Sequence, residues 1–315
     1  MFFKYIREKC RTFAEEIKQD DNKKMNKIHG HIAAIAVVCV WGTTFVSSKV
    51  LLGAGLMPAE IFLMRFVMAY LCLACVSHKR WLTRSVTDEL TMMGLGVMGG
   101  SLYFLMENMA LVYSTAANVS ILVSTSPLLT ALLVSLFYKS ERMNGKQVLG
   151  SFVAFIGTVL VILNGQLVLH LNPKGDVLAF AAAGTWAVYS LLMKRVMGRY
   201  QTDFITRKVF GYGVLSILPY FALVHPMDVH LAQLMQPKVM LNLLFLGLIA
   251  STCAYIAWNW AMQKLGAVKA TNYIYMQTIV TLIAGAVILG ERITVMGLCG
   301  MVILIVGMVR ALKKG

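Results

Sequence analysis

Charged side chains are scarce in this sequence, since Asp, Glu, Lys and Arg together make up only 14% of its 315 residues. Hydrophobic residues make up 58% of the chain, and its mean hydropathy is +0.72. A soluble domain of this length needs far more polar groups to cover its surface. The scarcity of charge therefore excludes an ordinary soluble protein and predicts an integral membrane protein.

Signatures of catalytic sites are missing as well. The sequence has no H-E-x-x-H motif, no paired carboxylates within an apolar run and no Walker A motif, so nothing indicates metal-assisted hydrolysis or ATP hydrolysis. The histidines lie in the N-terminal segment, in loops or near the ends of apolar runs: His29, His31, His78, His170, His225 and His230. These absences disfavour an integral-membrane enzyme, the alternative from another functional class. We expect no catalytic residue, no metal ligand and no cofactor.

The formal net charge of +15 does not indicate a nucleic-acid partner. Lys and Arg lie in short segments between apolar runs, and no segment interleaves aromatic residues with a basic stripe. Five of the six cysteines lie inside apolar runs, and the C-x-x-C of Cys72 and Cys75 has no second pair of ligands. The expected partners are the lipid bilayer and a small-molecule substrate, and we expect no nucleic acid.

Ten apolar segments follow residue 30, and a helix needs about 20 such residues to cross the hydrocarbon layer. The segments are Ile32–Leu52, Pro58–Val76, Leu90–Val112, Ala116–Tyr138, Val148–Leu163, Asp176–Val196, Phe204–Leu223, Met240–Met262, Ala267–Leu289 and Val295–Leu312. The predicted fold class is therefore an all-α integral membrane protein with ten transmembrane helices.

The first thirty residues differ from the rest, because they carry eight Lys or Arg and five Asp or Glu. They lack the apolar core and the small-residue cleavage site of a signal peptide. Residues 1–30 are therefore predicted to form a cytoplasmic N-terminal segment. The alternative is that translation starts at Met25, where a natural membrane-protein start begins, so that residues 1–24 are not translated.

Lys and Arg in the connecting segments predict the orientation of the chain. With the N-terminus inside, fourteen of them fall in inner connections and three in outer ones, which satisfies the positive-inside rule. The inner group comprises Lys79, Arg80, Arg84, Lys139, Arg142, Lys146, Lys194, Arg195, Arg199, Lys264, Lys269, Arg310, Lys313 and Lys314. The outer group comprises Lys174, Lys238 and Arg292. Both termini are therefore predicted to be cytoplasmic.

Residues in the first half recur in the second half at offsets of 145 to 151. The pairs are Trp41 with Trp186, Lys49 with Lys194, Asn108 with Asn259, Ala110 with Ala261, Glu141-Arg142 with Glu291-Arg292, Gly150 with Gly300 and Gly157 with Gly307. Their shared order predicts two repeats, at residues 31–165 and 174–313. Five helices per repeat is an odd number, so the repeats are predicted to be inverted relative to each other, an arrangement typical of secondary transporters.

The sequence resembles the EamA family of the drug/metabolite transporter superfamily over nearly all of residues 32–312. The resemblance rests on VWGTTFVSSK (Val40–Lys49), PAEIFLMRF (Pro58–Phe66), ALVYSTAANVSILVSTSPLLTALL (Ala110–Leu133) and the two Glu-Arg pairs. Thr278 stands where the family often has proline, so we expect the fourth and ninth segments to be less symmetric. The resemblance implies ten helices, a bacterial inner-membrane location and transport of amino acids or other small metabolites. It leaves the substrate open.

Polar side chains within apolar runs should face the interior of the bundle. Helical spacing groups several of them with aromatic residues, which suits a zwitterion or a small polar metabolite. The predicted cavity residues are Trp41, Thr44, Ser48, Asn108, Ser120, Ser124, Trp186, Tyr189, Tyr255, Asn259, Tyr273 and Gln277. The alternative for these polar residues, above all for Ser and Thr, is hydrogen bonding between helices.

Four charged residues lie within or at the edge of the apolar runs: Lys49, Glu60, Arg65 and Glu107. A buried arginine needs a carboxylate or several carbonyls, and Glu107 is the expected partner of Arg65. These two residues are candidates for an outer gate or for proton coupling. The alternative is a fixed structural ion pair. Lys49 and Glu60 are expected to reach the membrane surface.

These patterns together predict a secondary transporter of small polar metabolites, with export the expected direction. Efflux of drugs or lipophilic cations is the alternative within transport, with Glu107 as the embedded acid that it would use. A channel is disfavoured because the sequence has no ring of charges and no filter-like loop. Ten helices in two inverted halves can enclose a complete pathway, so we expect a monomer or a homodimer.

Overall fold

The computed structural model describes residues 25, 27–44, 47–48, 50–77, 81–114, 116–163, 172–289 and 293–313. The described part of the chain consists of helices and turns, and no strand occurs in it. The predicted all-α fold class is confirmed at this level. Residues 1–24, Lys49 and the pair Glu291-Arg292 lie outside the described residues, so the predictions for them stay predictions.

Fifteen helices, α1 to α15, are named along the described chain. The first, α1, comprises residues 27–44, 47–48 and 50–53. The rest of the first half contains α2 (Pro58–Val76), α3 (Val86–Gly96), α4 (Leu102–Tyr113), α5 (Ala116–Val123), α6 (Ser126–Phe137) and α7 (Gly145–Leu163). The second half contains α8 (Pro173–Val196), α9 (Thr202–Leu223), α10 (Leu231–Leu234), α11 (Pro237–Leu244), α12 (Ala254–Leu265), α13 (Ala267–Thr271), α14 (Ile274–Leu289) and α15 (Val295–Leu312).

Six helical stretches of the described chain are long and apolar enough to cross a membrane. They are Pro58–Cys75, Val86–Ala110, Gly145–Leu163, Pro173–Val196, Pro237–Leu265 and Val295–Leu312, and a shorter apolar helix spans Ile121–Phe137. The six stretches coincide with the second, third, fifth, sixth, eighth and tenth predicted segments. The chain is therefore a multi-pass membrane protein, and the remaining four spans stay predictions.

Two of these stretches are interrupted by π-helical segments. Val97–Ser101 joins α3 to α4, and Phe245–Cys253 joins α11 to α12. In the first segment Gly100 leaves helical geometry, with φ −118° and ψ −105°. A π-helical turn holds one extra residue, which disturbs the regular pairing of main-chain groups. As a result, carbonyl groups in both segments accept hydrogen bonds from side chains of other helices.

Helices α7 and α15 pack against each other through glycines. A Cβ atom on Gly157 would lie 2.3 Å from the Leu304 nitrogen, and a Cβ atom on Gly307 would lie 2.2 Å from the Ala154 nitrogen. Since these neighbours are main-chain atoms, they cannot move aside as a flexible side chain would. The two backbones therefore approach closely, as at the small-residue helix crossings of membrane proteins.

The fourth and ninth predicted segments differ in where their helices break. In the fourth segment α5 ends at Val123 and α6 begins at Ser126, followed by Pro127, whose ring suits the first turn of a helix. In the ninth segment α14 continues through Thr278, whose hydroxyl donates to the carbonyl of Tyr275 at 2.5 Å. The ninth segment breaks earlier, where α13 ends at Thr271 and α14 begins at Ile274. Both segments are therefore broken, and the asymmetry expected from the missing proline stays a prediction.

Glu60 is buried at the start of α2, so the expectation that it reaches the membrane surface is wrong. Its side chain is 1% exposed. One carboxylate oxygen accepts from the backbone N–H of Met57 at 2.8 Å, and the other accepts from the backbone N–H of Asp228 at 2.8 Å. A carboxylate at a helix N-terminus satisfies unpaired N–H groups, and this outweighs the gain from solvation.

Candidate functional site

Four aromatic side chains from α1, α8 and α12 meet inside the bundle: Trp41, Trp186, Tyr255 and Trp258, called here the central aromatic cluster. The ring centroid of Trp41 lies 5.8 Å from that of Trp186, 5.5 Å from that of Tyr255 and 5.0 Å from that of Trp258. The centroids of Trp186 and Trp258 are 6.3 Å apart. All four side chains are buried. The structure thus brings together three of the predicted cavity residues and adds Trp258.

Carbonyl groups of the two π-helical segments orient two of these rings. The indole nitrogen of Trp41 donates to the carbonyl of Ala250 at 3.0 Å, and the Tyr255 hydroxyl donates to the carbonyl of Gly99 at 3.1 Å. A Cβ atom on Gly99 would lie 2.2 Å from a ring carbon of Tyr189, so this position requires glycine. The backbone irregularity of both stretches therefore serves to position the cluster.

The indole N–H groups of the other two tryptophans are hydrogen-bond donors that have no acceptor among the described residues. Within the part of the chain that the structure describes, the buried indole nitrogens of Trp186 and Trp258 have no hydrogen-bond partner. An unpaired buried donor costs about 1–3 kcal/mol, and most buried polar groups in proteins are paired. Two such donors on neighbouring rings indicate a place where an acceptor can bind.

Arg65 lies beside the cluster and is 5% exposed. Its Nε donates to the hydroxyl of Ser251 at 2.9 Å, and its guanidinium carbon lies 4.7 Å from the centroid of the Phe104 ring. Glu107 instead accepts from the hydroxyl of Tyr103 at 2.8 Å. The immediate contacts of the Arg65 guanidinium are thus a hydroxyl and an aromatic face, while Glu107 interacts with it electrostatically. The predicted pairing of Arg65 with Glu107 stays a prediction.

Asn259 links three helices through hydrogen bonds near the cluster. Its carbonyl oxygen accepts from the Tyr189 hydroxyl at 2.6 Å, and its amide nitrogen donates to the Thr206 hydroxyl at 3.0 Å. All three residues are fully buried. In this structure Asn259 and Tyr189 thus hydrogen-bond between α8, α9 and α12, which is the alternative role considered for the polar cavity residues.

The remaining predicted cavity residues are not members of the central aromatic cluster. Thr44 donates to the carbonyl of Trp41 at 2.7 Å and Asn108 to that of Phe104 at 2.8 Å. The Tyr273 hydroxyl lies 2.6 Å from Nδ1 of His31. His31 precedes Trp41 by ten residues, which corresponds to about 15 Å along α1. Ser124 is buried, and two others are half-buried: Ser48 and Gln277. The side chain of Ser120 lies outside the described residues.

A polar network at the start of α3 was not predicted. It is called the α3 network and comprises Asp88, Glu89, Arg199, Tyr200, Lys208 and Tyr212. Asp88 is 1% exposed and accepts from Arg199 at 2.8 and 2.9 Å and from the Tyr200 hydroxyl at 2.6 Å. Glu89 accepts from Lys208 and from the Tyr212 hydroxyl. The network ties α3 to α9 and to the connection that precedes it.

A second buried arginine lies in α9. Arg207 is 1% exposed, donates to the carbonyl of Ser77 and holds its guanidinium carbon 4.4 Å from the centroid of a Trp81 ring. It therefore ties α9 to the connection between α2 and α3, next to the α3 network.

The profile of the EamA-like transporter family matches this chain twice, at residues 28–163 and 173–312. The chain belongs to the EamA-like transporter family. The two matches cover nearly the whole chain.

Curated relatives of this EamA-like protein are themselves named as transporters. It is 29% identical to an uncharacterized transporter of Archaeoglobus fulgidus, over 83% of this chain and 90% of the relative. It is 28% identical to a probable amino-acid metabolite efflux pump of Salmonella typhimurium, over 90% of this chain and 94% of the relative. It is 27% identical to a probable terminal-alkyne amino-acid exporter of Streptantibioticus cattleyicolor, over 82% and 85%.

A solved crystal structure shares the fold of this EamA-like protein. The two superpose with a TM-score of 0.70 at 18% sequence identity, over 90% of this chain and 96% of the other. At this identity the likeness concerns the fold alone.

The sequence contains signals for the site residues that hydropathy and helical spacing do not predict. Arg207 follows Arg65 at an offset of 142, and Phe204 follows Phe62 at the same offset, and this recurrence is the signal that could have found Arg207. Asp88 and Glu89 were not predicted to lie in a helix, because the third segment was predicted to begin at Leu90, whereas α3 begins at Val86. Adjacent acids in a chain with only 14 Asp and Glu residues are the signal that could have found them.

Proposed function

We propose that this EamA-like protein is a secondary transporter that exports small polar metabolites, amino acids or related compounds, by alternating access between two inverted repeats. The observation that carries the proposal is the central aromatic cluster. It joins Trp41 of the first repeat to Trp186 and Trp258 of the second and contains unpaired donors beside a buried arginine. A binding site between two repeats is the position that alternating access requires.

The inverted ten-helix arrangement has support in how equivalent residues pair. A Cβ atom on Gly150 would lie 2.8 Å from the Gly307 carbonyl, and one on Gly157 would lie 2.8 Å from the Gly300 carbonyl. Gly150 is equivalent to Gly300, and Gly157 is equivalent to Gly307, each at an offset of 150. The contact of Gly150 with Gly307 is therefore equivalent to that of Gly300 with Gly157. A two-fold relation between residues 31–165 and 174–313 has this effect, and we propose five spans in each repeat.

The proposed location is the bacterial inner membrane, with both termini in the cytoplasm. The distribution of Lys and Arg supports this orientation through the positive-inside rule. The α3 network then lies on the cytoplasmic side and Glu60 on the outer side. The amino-acid exporters among the relatives support the proposed substrate class and direction.

Flux through reconstituted vesicles tests the proposal. Proteoliposomes loaded with labelled amino acids are expected to release them faster than vesicles without protein, and excess unlabelled substrate is expected to slow the release. Nucleosides, sugars and lipophilic cations are measured alongside. Release of lipophilic cations alone would contradict the proposal and assign drug efflux instead, and the absence of any saturable flux would contradict transport itself.

Glu107 is proposed to couple transport to protons. The Tyr103 hydroxyl donates to its carboxylate at 2.8 Å, and Arg65 and Tyr255 interact with it electrostatically. Substitution Glu107→Gln is expected to abolish the acceleration of uptake or release by an imposed pH gradient, because the amide cannot exchange a proton. Exchange of substrate across the membrane without a gradient should persist.

A companion variant separates coupling from packing. Tyr103→Phe removes the hydrogen bond to Glu107 and leaves the carboxyl group in place, so its flux should still respond to the pH gradient. If Glu107→Gln responds to the gradient as the unmodified protein does, Glu107 has no coupling role.

A further inference from the structure

The hydrogen-bonded residues around Asn259 have counterparts in the first half of the chain. The equivalent pairs, at offsets of 145, 142 and 151, are Tyr189 and Thr44, Thr206 and Met64, and Asn259 and Asn108. These are the offsets at which tryptophan, arginine and asparagine recur in the same helices. The three second-half residues are called the inner set and the three first-half residues the outer set. In the proposed inverted arrangement the two sets lie on opposite faces of the membrane, so their contacts compare the two gates.

The inner set joins three helices near the end of α12. Each of its three side chains is 0% exposed. The amide of Asn259 accepts from the Tyr189 hydroxyl at 2.6 Å and donates to the Thr206 hydroxyl at 3.0 Å. Asn259 lies six residues, or about 9 Å, before the end of α12 at Leu265, which faces the cytoplasm in the proposed orientation. The inner set therefore holds α8, α9 and α12 together on the cytoplasmic side.

The outer set bonds differently, although it is equivalent in sequence. Its three side chains are half-buried. The Thr44 hydroxyl donates to the carbonyl of Trp41 at 2.7 Å, and the Asn108 amide donates to that of Phe104 at 2.8 Å, each within its own helix. Among the residues that the structure describes, neither side chain bonds to another helix. The bridging contacts of the inner face thus have no counterpart at the outer face in this part of the chain.

From this difference we infer that Asn108 and Asn259 latch the two gates in turn and that the structure is the outward-open conformation. The inference rests on the proposed alternating access and names the residues that hold each gate. In the inward-open conformation the Thr44 hydroxyl donates to the amide carbonyl of Asn108, which closes the outer gate. At the same time Asn259 releases its two partners, which opens the inner gate.

A released asparagine keeps a hydrogen bond within its own helix. Asn108 already donates to the carbonyl of Phe104, the residue four positions earlier. The same bond is open to Asn259 through the carbonyl of Tyr255, a member of the central aromatic cluster. Each amide therefore finds an acceptor in both conformations, so no buried donor is left unpaired by the exchange. Two arrangements of similar free energy are what a gate that opens and closes requires.

The two latches differ in strength. Asn259 has two partners, whereas Asn108 has one, because the counterpart of Thr206 is Met64, whose thioether is a weak acceptor and no donor. A difference of one buried hydrogen bond corresponds to about 2- to 10-fold in population. The conformation with a closed inner gate is therefore favoured in the absence of substrate, in agreement with the structure.

The experiment is hydrogen–deuterium exchange of the purified full chain in detergent, without substrate. Opening of the inner gate exposes the cytoplasmic ends of α9 and α12 to water, so exchange in residues 202–208 and 259–265 follows the inward-open population. Thr206→Val removes one partner of Asn259 and keeps the shape of the side chain. We expect it to raise exchange in both segments about 3- to 10-fold.

Thr44→Val makes the same chemical change in the outer set and should have the opposite effect. The hydroxyl of Thr44 closes the outer gate only in the inward-open conformation, so its loss lowers that population. Exchange in residues 202–208 and 259–265 should fall about 3- to 10-fold. Thr44 lies on α1, about one turn beyond Trp41 toward the outer face, so a purely local role would leave these segments unchanged. Both substitutions together should restore exchange close to that of the unmodified protein.

Thr185→Val is the matched control. The Thr185 hydroxyl is also buried in a helix of the second half, but it donates to the carbonyl of Ala182 in its own helix at 2.8 Å. Its exchange should equal that of the unmodified protein. Unchanged exchange in Thr206→Val would overturn the inference, as would unchanged or raised exchange in Thr44→Val.

A second pair of variants decides the question if a valine variant does not fold. Tyr189→Phe removes the other partner of Asn259 and should raise exchange in the same segments, and Asn108→Leu removes the acceptor of the outer latch and should lower it. Transport and latching fail in different ways. If the opposite shifts occur but the vesicles show no flux, the proposed function falls and the latches stand. If the vesicles show saturable flux but neither set of variants shifts exchange, transport stands and the latches fall.

Discussion

Replacement of Gly157 by leucine is expected to prevent α7 and α15 from packing together. The first atom of the new side chain would meet the main-chain nitrogen of Leu304 at 2.3 Å, and a Cβ on Gly307 would meet that of Ala154 at 2.2 Å. Overpacking against side chains costs typically 1–3 kcal/mol, and here an entire helix has to move. We therefore expect Gly157→Leu and Gly307→Leu each to lower stability by more than about 3 kcal/mol.

The measurement is the fraction of monodisperse protein that remains after heating in detergent. Gly184→Leu is the matched control, because Gly184 also lies inside a helix and a Cβ there would meet nothing within 4 Å. Its heating curve should stay close to that of the unmodified protein. A Gly157→Leu protein with the stability of the control would show that the two backbones are not in contact.

Substitution Asp88→Asn is expected to release the connection between α8 and α9 from α3. The carboxylate accepts two bonds from Arg199 and one from Tyr200, whereas an amide has one acceptor oxygen and turns an NH2 group toward these donors. The Arg199 side chain is 51% exposed, so solvent screens part of the interaction. We expect a loss of about 2 kcal/mol, which raises local opening roughly 30-fold.

Hydrogen–deuterium exchange detects this opening. Exchange should rise in residues 197–203 and in residues 81–89, while α7 and α15 keep their protection. Asp228→Asn is the control, because Asp228 is 77% exposed and its contact to His230 is 3.5 Å long. Equal exchange in Asp88→Asn and the unmodified protein would mean that the α3 network does not hold these segments together.

The sequence repeat pointed to one ring contact of the candidate site. Trp41 and Trp186 recur at an offset of 145 and are in ring contact in the structure. Helical bounds followed from hydropathy, since apolar runs end where the chain meets water. Both α2 and α15 begin and end at the predicted residues.

Other parts of the site depend on contacts between distant segments, which periodicity along one helix does not contain. Trp258 and the carbonyl of Ala250 reach the cluster through contacts with Trp41 of α1, and nothing within their own segments indicates these contacts. The hydrogen bond of Arg65 has a similar origin. Its Nε donates to Ser251 in the π-helical segment Phe245–Cys253, and depth in the membrane does not predict a contact between these two segments.

The π-helical segments bear on how the length of this protein can vary. Deleting one residue from an ordinary α-helix turns everything beyond the deletion by about 100°. A π-helical turn already holds one surplus residue, so a single deletion within Phe245–Cys253 restores a regular helix and leaves both flanks in phase. The faces of α12 that present Tyr255, Trp258 and Asn259 therefore keep their direction through a change of length that would misalign them at most other positions.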